Sequence, residues 1–132
     1  MKELKMVIFI SVSALVVVLD TSEAMTFDQC QTLSTTLNNS APMVVDKGTT
    51  LTSTFCLDKK PLPELNYIYQ LTPQLLNENN WTLERQQQYI KEFWCSDSDQ
   101  VFLLNNVAVK FDYRESSGSS IGKIALIKSD CT

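Results

Sequence analysis

The clearest regularity in the chain is VAVKFDYRE, residues 107–115, where Val107, Val109, Phe111 and Tyr113 alternate with Ala108, Lys110, Asp112 and Arg114. A half-buried strand requires this period of two, because successive side chains point to opposite faces of a sheet. SIGKIALIK, residues 120–128, returns as a second strand across the Ser- and Gly-containing loop before it, completing a hairpin. An earlier pair is predicted from TTLTSTFCL, residues 49–57, and ELNYIYQLT, residues 64–72. Leu51, Phe55 and Leu57 are assigned to one side of the first, and Leu65, Tyr67, Tyr69 and Leu71 to one side of the second. Asp46-Lys47-Gly48 supplies a turn ahead of this pair, and the polar, Pro-containing segment 58–63 joins its two strands.

Helical periodicity appears in three places. FDQCQTLSTTLN, residues 27–38, is a short first helix closed by Asn38, Asn39 and Ser40 and stopped by Pro42. TLERQQQYIKEFWC, residues 82–95, is rich in helix formers and sets Leu83, Ile90, Phe93 and Trp94 near one face. DQVFLLNN, residues 99–106, follows the polar run Ser96-Asp97-Ser98-Asp99, in which Asp97 and Gln100 have the spacing of a capping box. Two hairpins flanking a helical block predict an α+β fold: one antiparallel sheet of about four strands with helices packed on one face. Phe93, Trp94 and Phe102 are expected to stack on Phe55, Tyr67, Phe111 and Tyr113 as the core, each buried ring contributing about 1.5 to 3 kcal/mol.

The N-terminus adds a compartment. Lys2 and Lys5 precede the apolar run MVIFISVSALVVVL and the small-residue site Ser22-Glu23-Ala24, the pattern of a secretory signal peptide over residues 1–24. The apolar run is shorter than the roughly 20 residues needed to span a bilayer, so no stable membrane anchor is expected after cleavage. Residues 25–132 then form a single α+β domain that is periplasmic or secreted. Losing the leader's two lysines and three acids moves the net charge from −4 to −3, and no basic run suggests nucleic acid as a partner.

Cys30, Cys56, Cys95 and Cys131 all follow the leader. In an oxidising compartment an even count implies disulfides, and spacing favours Cys30 with Cys56 and Cys95 with Cys131 among the three possible pairings. Each bridge is worth about 3 kcal/mol by loop-closure entropy. Zinc is disfavoured because the cysteines are widely separated and the chain has no His. The same lack removes the usual activating base for a catalytic thiol, and no cofactor fingerprint is present.

Catalysis would therefore rest on carboxylates such as Glu64, Glu84, Glu92, Asp112 and Glu115, each of which reads more simply as a solvated residue. Asn38-Asn39-Ser40 and Asn80-Trp81-Thr82 match the glycosylation sequon. Trp81, in polar surroundings, is a candidate partner-binding residue, as are Tyr69 and Trp94.

The two hairpins around a helical block, the Trp94-Cys95 helix end, the run LLNNVAVKFDY at residues 103–113 and the terminal SDC at residues 129–131 are similar to small exported Gram-negative proteins with disulfides and mostly unassigned functions. The resemblance spans residues 42–131 and carries over no functional residue. Some proteins of this build neutralise secreted cell-wall-degrading toxins, and others assist envelope assembly. The expectation is a non-enzymatic protein-binding module of the bacterial envelope, an immunity or inhibitor protein being the favoured form. The alternatives are a small carboxylate-dependent envelope hydrolase, an accessory factor in envelope or secretion assembly, and a module binding a small ligand between sheet and helices.

Overall fold

The computed structural model describes residues 24–131 apart from Asn79, so the expected leader lies, but for Ala24, outside the described residues. The order is α1 (Phe27–Asn38), β1 (Met43–Asp46), β2 (Thr49–Leu57), β3 (Glu64–Leu71), α2 (Pro73–Glu78), α3 (Leu83–Ser96), α4 (Ser98–Leu104), β4 (Ala108–Glu115), β5 (Ser120–Leu126) and a closing 3-10 turn, Lys128–Cys131. The strands form one sheet in the order β1-β2-β3-β4-β5.

The α+β class and the two long hairpins are present, with two differences in the sheet. First, β3 and β4 are parallel, and every other neighbouring pair is antiparallel. The cause is the helical block, which carries the chain over one face and returns it to the end where β3 began, as a parallel crossover must. Second, β1 adds a fifth strand, pairing Met43 with Leu51 and Val44 with Thr50 across the Lys47-Gly48 turn. Gly48 supplies the positive φ of 88° that the turn requires.

Each helix starts where local chemistry satisfies its free N–H groups. Thr26 and Gln29 form a reciprocal capping box at α1, and Thr82 Oγ1 accepts the Arg85 N–H at α3. Asp97 caps α4 by accepting the Asp99 N–H at 2.9 Å. Gln100 does not complete the expected box there, because its side chain is buried in the interior instead. Cys30 and Cys56 are bonded, tying α1 to β2, and Cys95 and Cys131 are bonded, tying the last turn of α3 to the 3-10 turn.

The core lies between sheet and helices. Tyr67, Tyr69, Phe111 and Tyr113 stack with neighbouring centroids 5.2 to 6.3 Å apart, and Trp94 meets Phe111 edge-on at 5.6 Å. Such pairs add about 0.5 to 1.5 kcal/mol each beyond the area they bury. Phe55 is not part of this stack. A bulge between Leu51 and Ser53 shifts the β2 register by one residue, so Leu51 faces the helices but Thr54 and Cys56 do so beyond it. Phe55 and Leu57 are thereby turned to the opposite face, where they are 40% and 38% exposed.

One further device holds α1 to the sheet. Since β1 ends its pairing at Leu51, the second half of β2 has an open edge. Asn38 fills part of it: Nδ2 donates to the Thr54 carbonyl at 3.0 Å while Oδ1 accepts the Thr54 N–H at 2.7 Å, as a strand residue would.

Candidate functional site

Among the described residues no helix covers the second face of the sheet, and pairing fixes which side chains cross it. At one end the row runs Leu57, Glu64, Ala108, with Ile127 following Leu126, the partner of Val109. The loop Lys59 to Leu62 rises on one side of this row and Lys128 and Ser129 on the other, enclosing a groove of about 610 Å³. Pro61, Leu62, Ala108 and Ile127 give it an apolar lining, while Lys59, Lys60 and Lys128 bring ammonium groups to it. Ile127 is 47% exposed, a large apolar side chain left facing water.

Several bonds fix the shape of the walls. The Ile127 N–H donates to Asp130 Oδ2 at 2.8 Å, the Asp130 N–H returns to the Ile127 carbonyl, and Cys131 is bonded to Cys95. On the other side the Pro63 carbonyl accepts the Ala108 N–H at 3.0 Å, joining the end of the loop to β4. The groove is thus held in shape before anything enters it.

Glu64 is the carboxylate of the groove. Burial would push its pKa up, but the Asn66 amide at 3.2 Å, Lys110 at 3.6 Å and Lys59 at 3.3 Å outweigh that and hold it below the ordinary value. It is an ionised, paired group, the opposite of a proton donor poised near neutrality. Asp112 lies on the same face four residues beyond Ala108, the Glu64 partner, and takes two bonds from Arg114 at 2.8 and 3.1 Å. Along a strand that offset is roughly 13 Å, beyond the separation at which two carboxylates share a glycosidic bond. Glu84, Glu92 and Glu115 are exposed on other parts of the surface. The five carboxylates considered from sequence are not brought together as a catalytic pair.

The aromatic candidates lie elsewhere. Tyr69 and Trp94 are fully buried, which leaves neither ring a surface to offer a partner. Burial, then the neighbouring Tyr113 and Tyr67, pushes the Tyr69 phenol well above its ordinary pKa, and burial raises Tyr113, which accepts a bond from Gln86 Nε2 at 2.9 Å. Trp81 is half-buried with its ring 5.5 Å from Tyr113, closing that end of the stack. Asn38 spends its amide on Thr54, so a glycan there would unseat α1 from the sheet.

Sequence reasoning missed Leu62 and Ile127, which line the groove, and misassigned Leu57, which lies on the same face beside Glu64. A signal for Leu57 was present: Cys56 must face the helix that carries Cys30, which forces Phe55 and Leu57 to the other side of a strand.

No family model and no curated protein matches the sequence. Solved structures do share its fold. The EpsS pilotin of the Vibrio vulnificus type 2 secretion system superimposes with a TM-score of 0.64 at 10% identity, covering 80% of this chain and 91% of that one. A protein of Pseudomonas aeruginosa described as secreted gives 0.67 at 7% identity, over 80% and 92% of the two chains. The AspS pilotin of the Vibrio cholerae Type II secretion system gives 0.59 at 12% identity, over 80% and 91%. At such identities the likeness establishes the fold and leaves function to be argued from the site.

Proposed function

We propose that this protein is an exported, non-catalytic accessory factor of an envelope secretion assembly, working by holding a segment of a partner protein in the groove between Leu62 and Ile127. The carrying observation is the groove itself: a recessed apolar lining, pre-shaped walls and a floor carboxylate already neutralised by lysines. Pre-formed apolar concavities with a few fixed polar groups are the usual form of binding sites. The signal-like N-terminus and two disulfides support export, and two of the structural neighbours are themselves pilotins. Secretion assembly therefore has support that toxin neutralisation lacks, and the paired state of Glu64 and Asp112 weighs against the hydrolase.

The test is deletion of the gene followed by measurement of secretion-channel assembly in the envelope, with complementation by wild type, Leu62→Glu and Ile127→Glu. Assembly lost on deletion, restored by wild type and not by folded groove variants is the expected result. Normal assembly in the deletion strain, together with turnover of an envelope polymer by the purified protein, would overturn the reading.

A further inference from the structure

The charges of the chain are sorted by the fold in a way that its linear order conceals. The protein has 15 acidic and 11 basic side chains, yet its two layers differ in sign. The helical layer carries Asp28, Glu84, Glu92, Asp97 and Asp99, against Arg85 and Lys91 within α1 to α4. Alternate positions of β4 and β5, with the segments flanking β3 and β5, bring Lys59, Lys60, Lys110, Arg114, Lys123 and Lys128 to the uncovered face and its groove.

Two carboxylates share that face, both in ion pairs, although Arg114 reaches only Oδ2 of Asp112 and leaves Oδ1 buried without a hydrogen bond. Glu64 is engaged by Lys59 and Lys110, and Asp112 by Arg114. Nearby, Asp130 accepts the Ile127 N–H, and Asp58 stands exposed where the groove loop begins. Lys60, Lys123 and Lys128 are exposed and make no ion pair among the described residues. Three ammonium groups without an ion pair among the described residues therefore border a face on which basic side chains outnumber acidic ones, Lys123 standing opposite Asp112 in the β4–β5 register.

We infer that the partner segment is acidic: an apolar side chain enters between Pro61, Leu62 and Ile127, and flanking carboxylates meet Lys60, Lys123 and Lys128. This deepens the protein-binding reading and rests on it. The placement of apolar surface favours a protein segment over an anionic bilayer. A peripheral membrane protein puts its apolar side chains at the protruding tip so that they reach the acyl boundary. Here Leu62 and Ala108 are partly buried and set back within a concavity with lysines beside it, and the exposed Pro61 and Ile127 stand as its walls rather than as a projecting tip. Complementary charge of this kind steers encounter and selects partners more than it adds affinity.

The experiment pans a random peptide-display library on the oxidised protein, then titrates the enriched peptides against wild type and a Lys60→Glu, Lys123→Glu, Lys128→Glu variant. Lys91→Glu on the helical layer is the charge control, and vesicles of phosphatidylglycerol in phosphatidylcholine are titrated in parallel. Enriched peptides should combine Asp or Glu with a large apolar residue. Their binding should weaken roughly tenfold or more in the triple variant and by a similar factor between about 50 and 300 mM salt, and Lys91→Glu should leave it unchanged. Enrichment of neutral or basic peptides, or equal binding by the triple variant, overturns the acidic segment while leaving protein binding intact. Lysine-dependent vesicle binding without peptide enrichment overturns it in favour of the membrane. Absence of any peptide or vesicle binding by the folded protein removes the protein-binding reading and this inference together.

Discussion

Replacing Asn38 with Ala isolates the contact by which a helix substitutes for a missing strand. The amide gives Thr54 a donor at 3.0 Å and an acceptor at 2.7 Å, and its Oδ1 also takes the Thr54 hydroxyl at 3.1 Å. Thr54 is buried, so its main-chain groups gain no ready access to water when the amide is removed. Leaving a buried backbone donor unsatisfied costs about 1 to 3 kcal/mol, and Ala recovers roughly half a kcal/mol through its higher helix propensity. The net expectation is a loss of about 0.5 to 2.5 kcal/mol, which for a domain of this size lowers Tm by roughly 2 to 15 °C. Urea unfolding followed by circular dichroism measures it, and hydrogen exchange at the Thr54 amide locates it. Asn39→Ala, one residue on, removes a side chain with no such role and should change stability by less than about 0.5 kcal/mol. Asn38→Asp keeps an acceptor for the Thr54 N–H but loses the donor, and should fall between the two. If Asn38→Ala proves no more costly than Asn39→Ala, with Thr54 still protected, the helix is not completing the sheet edge and the reasoning fails.

Other outcomes follow from the same structure. Replacing both Cys95 and Cys131 by Ala opens a loop with a sequence separation of 36 and should cost about 3 to 4 kcal/mol in denaturant titration, with loss of peptide binding at the groove preceding loss of the sheet signal. Glu64 has a lowered pKa in the folded protein, so its stabilising share is present above the ordinary carboxyl value of 4.5 and is lost as pH falls through the lowered one. Glu64→Gln should therefore reduce stability by about 1 kcal/mol at neutral pH and flatten the acid limb of a stability-against-pH curve. Gly48→Ala should be more damaging than Gly118→Ala in thermal unfolding: both sites have positive φ, but a Cβ at Gly48 would lie 2.9 Å from Thr72 Oγ1 and 3.0 Å from Leu75 Cβ, whereas Gly118 faces open space.

The regular parts of the fold were legible because their periods are long and clean. The first helix and both long hairpins lie within two residues of where alternation and capping put them. β1 was not, since four residues are too few to display a period of two and Pro42 stands directly ahead of them. α2 was missed although Thr72 and Pro73 carry a start signal: the Thr72 hydroxyl accepts the Leu75 N–H, and Pro occupies the first helical position. The parallel pairing of β3 with β4 is a matter of topology, invisible to local pattern. The site was least legible of all. Its apolar lining comes from a loop, one strand position and the segment after β5, and its charges from alternate residues of different strands, so neither forms a run in the chain. Phe55 was misplaced by the bulge, a one-residue slip that reverses every side chain after it.

The wall formed by Lys128 and Ser129 follows all five strands in chain order, and its seat against α3 is a sulfur bridge. In the function proposed above, readiness to bind is thus tied to maturation. A chain that has assembled its sheet but still carries thiols at positions 95 and 131 presents an unfinished pocket, so a client meeting it would be engaged only after oxidation. Recognition and quality control then share one covalent step.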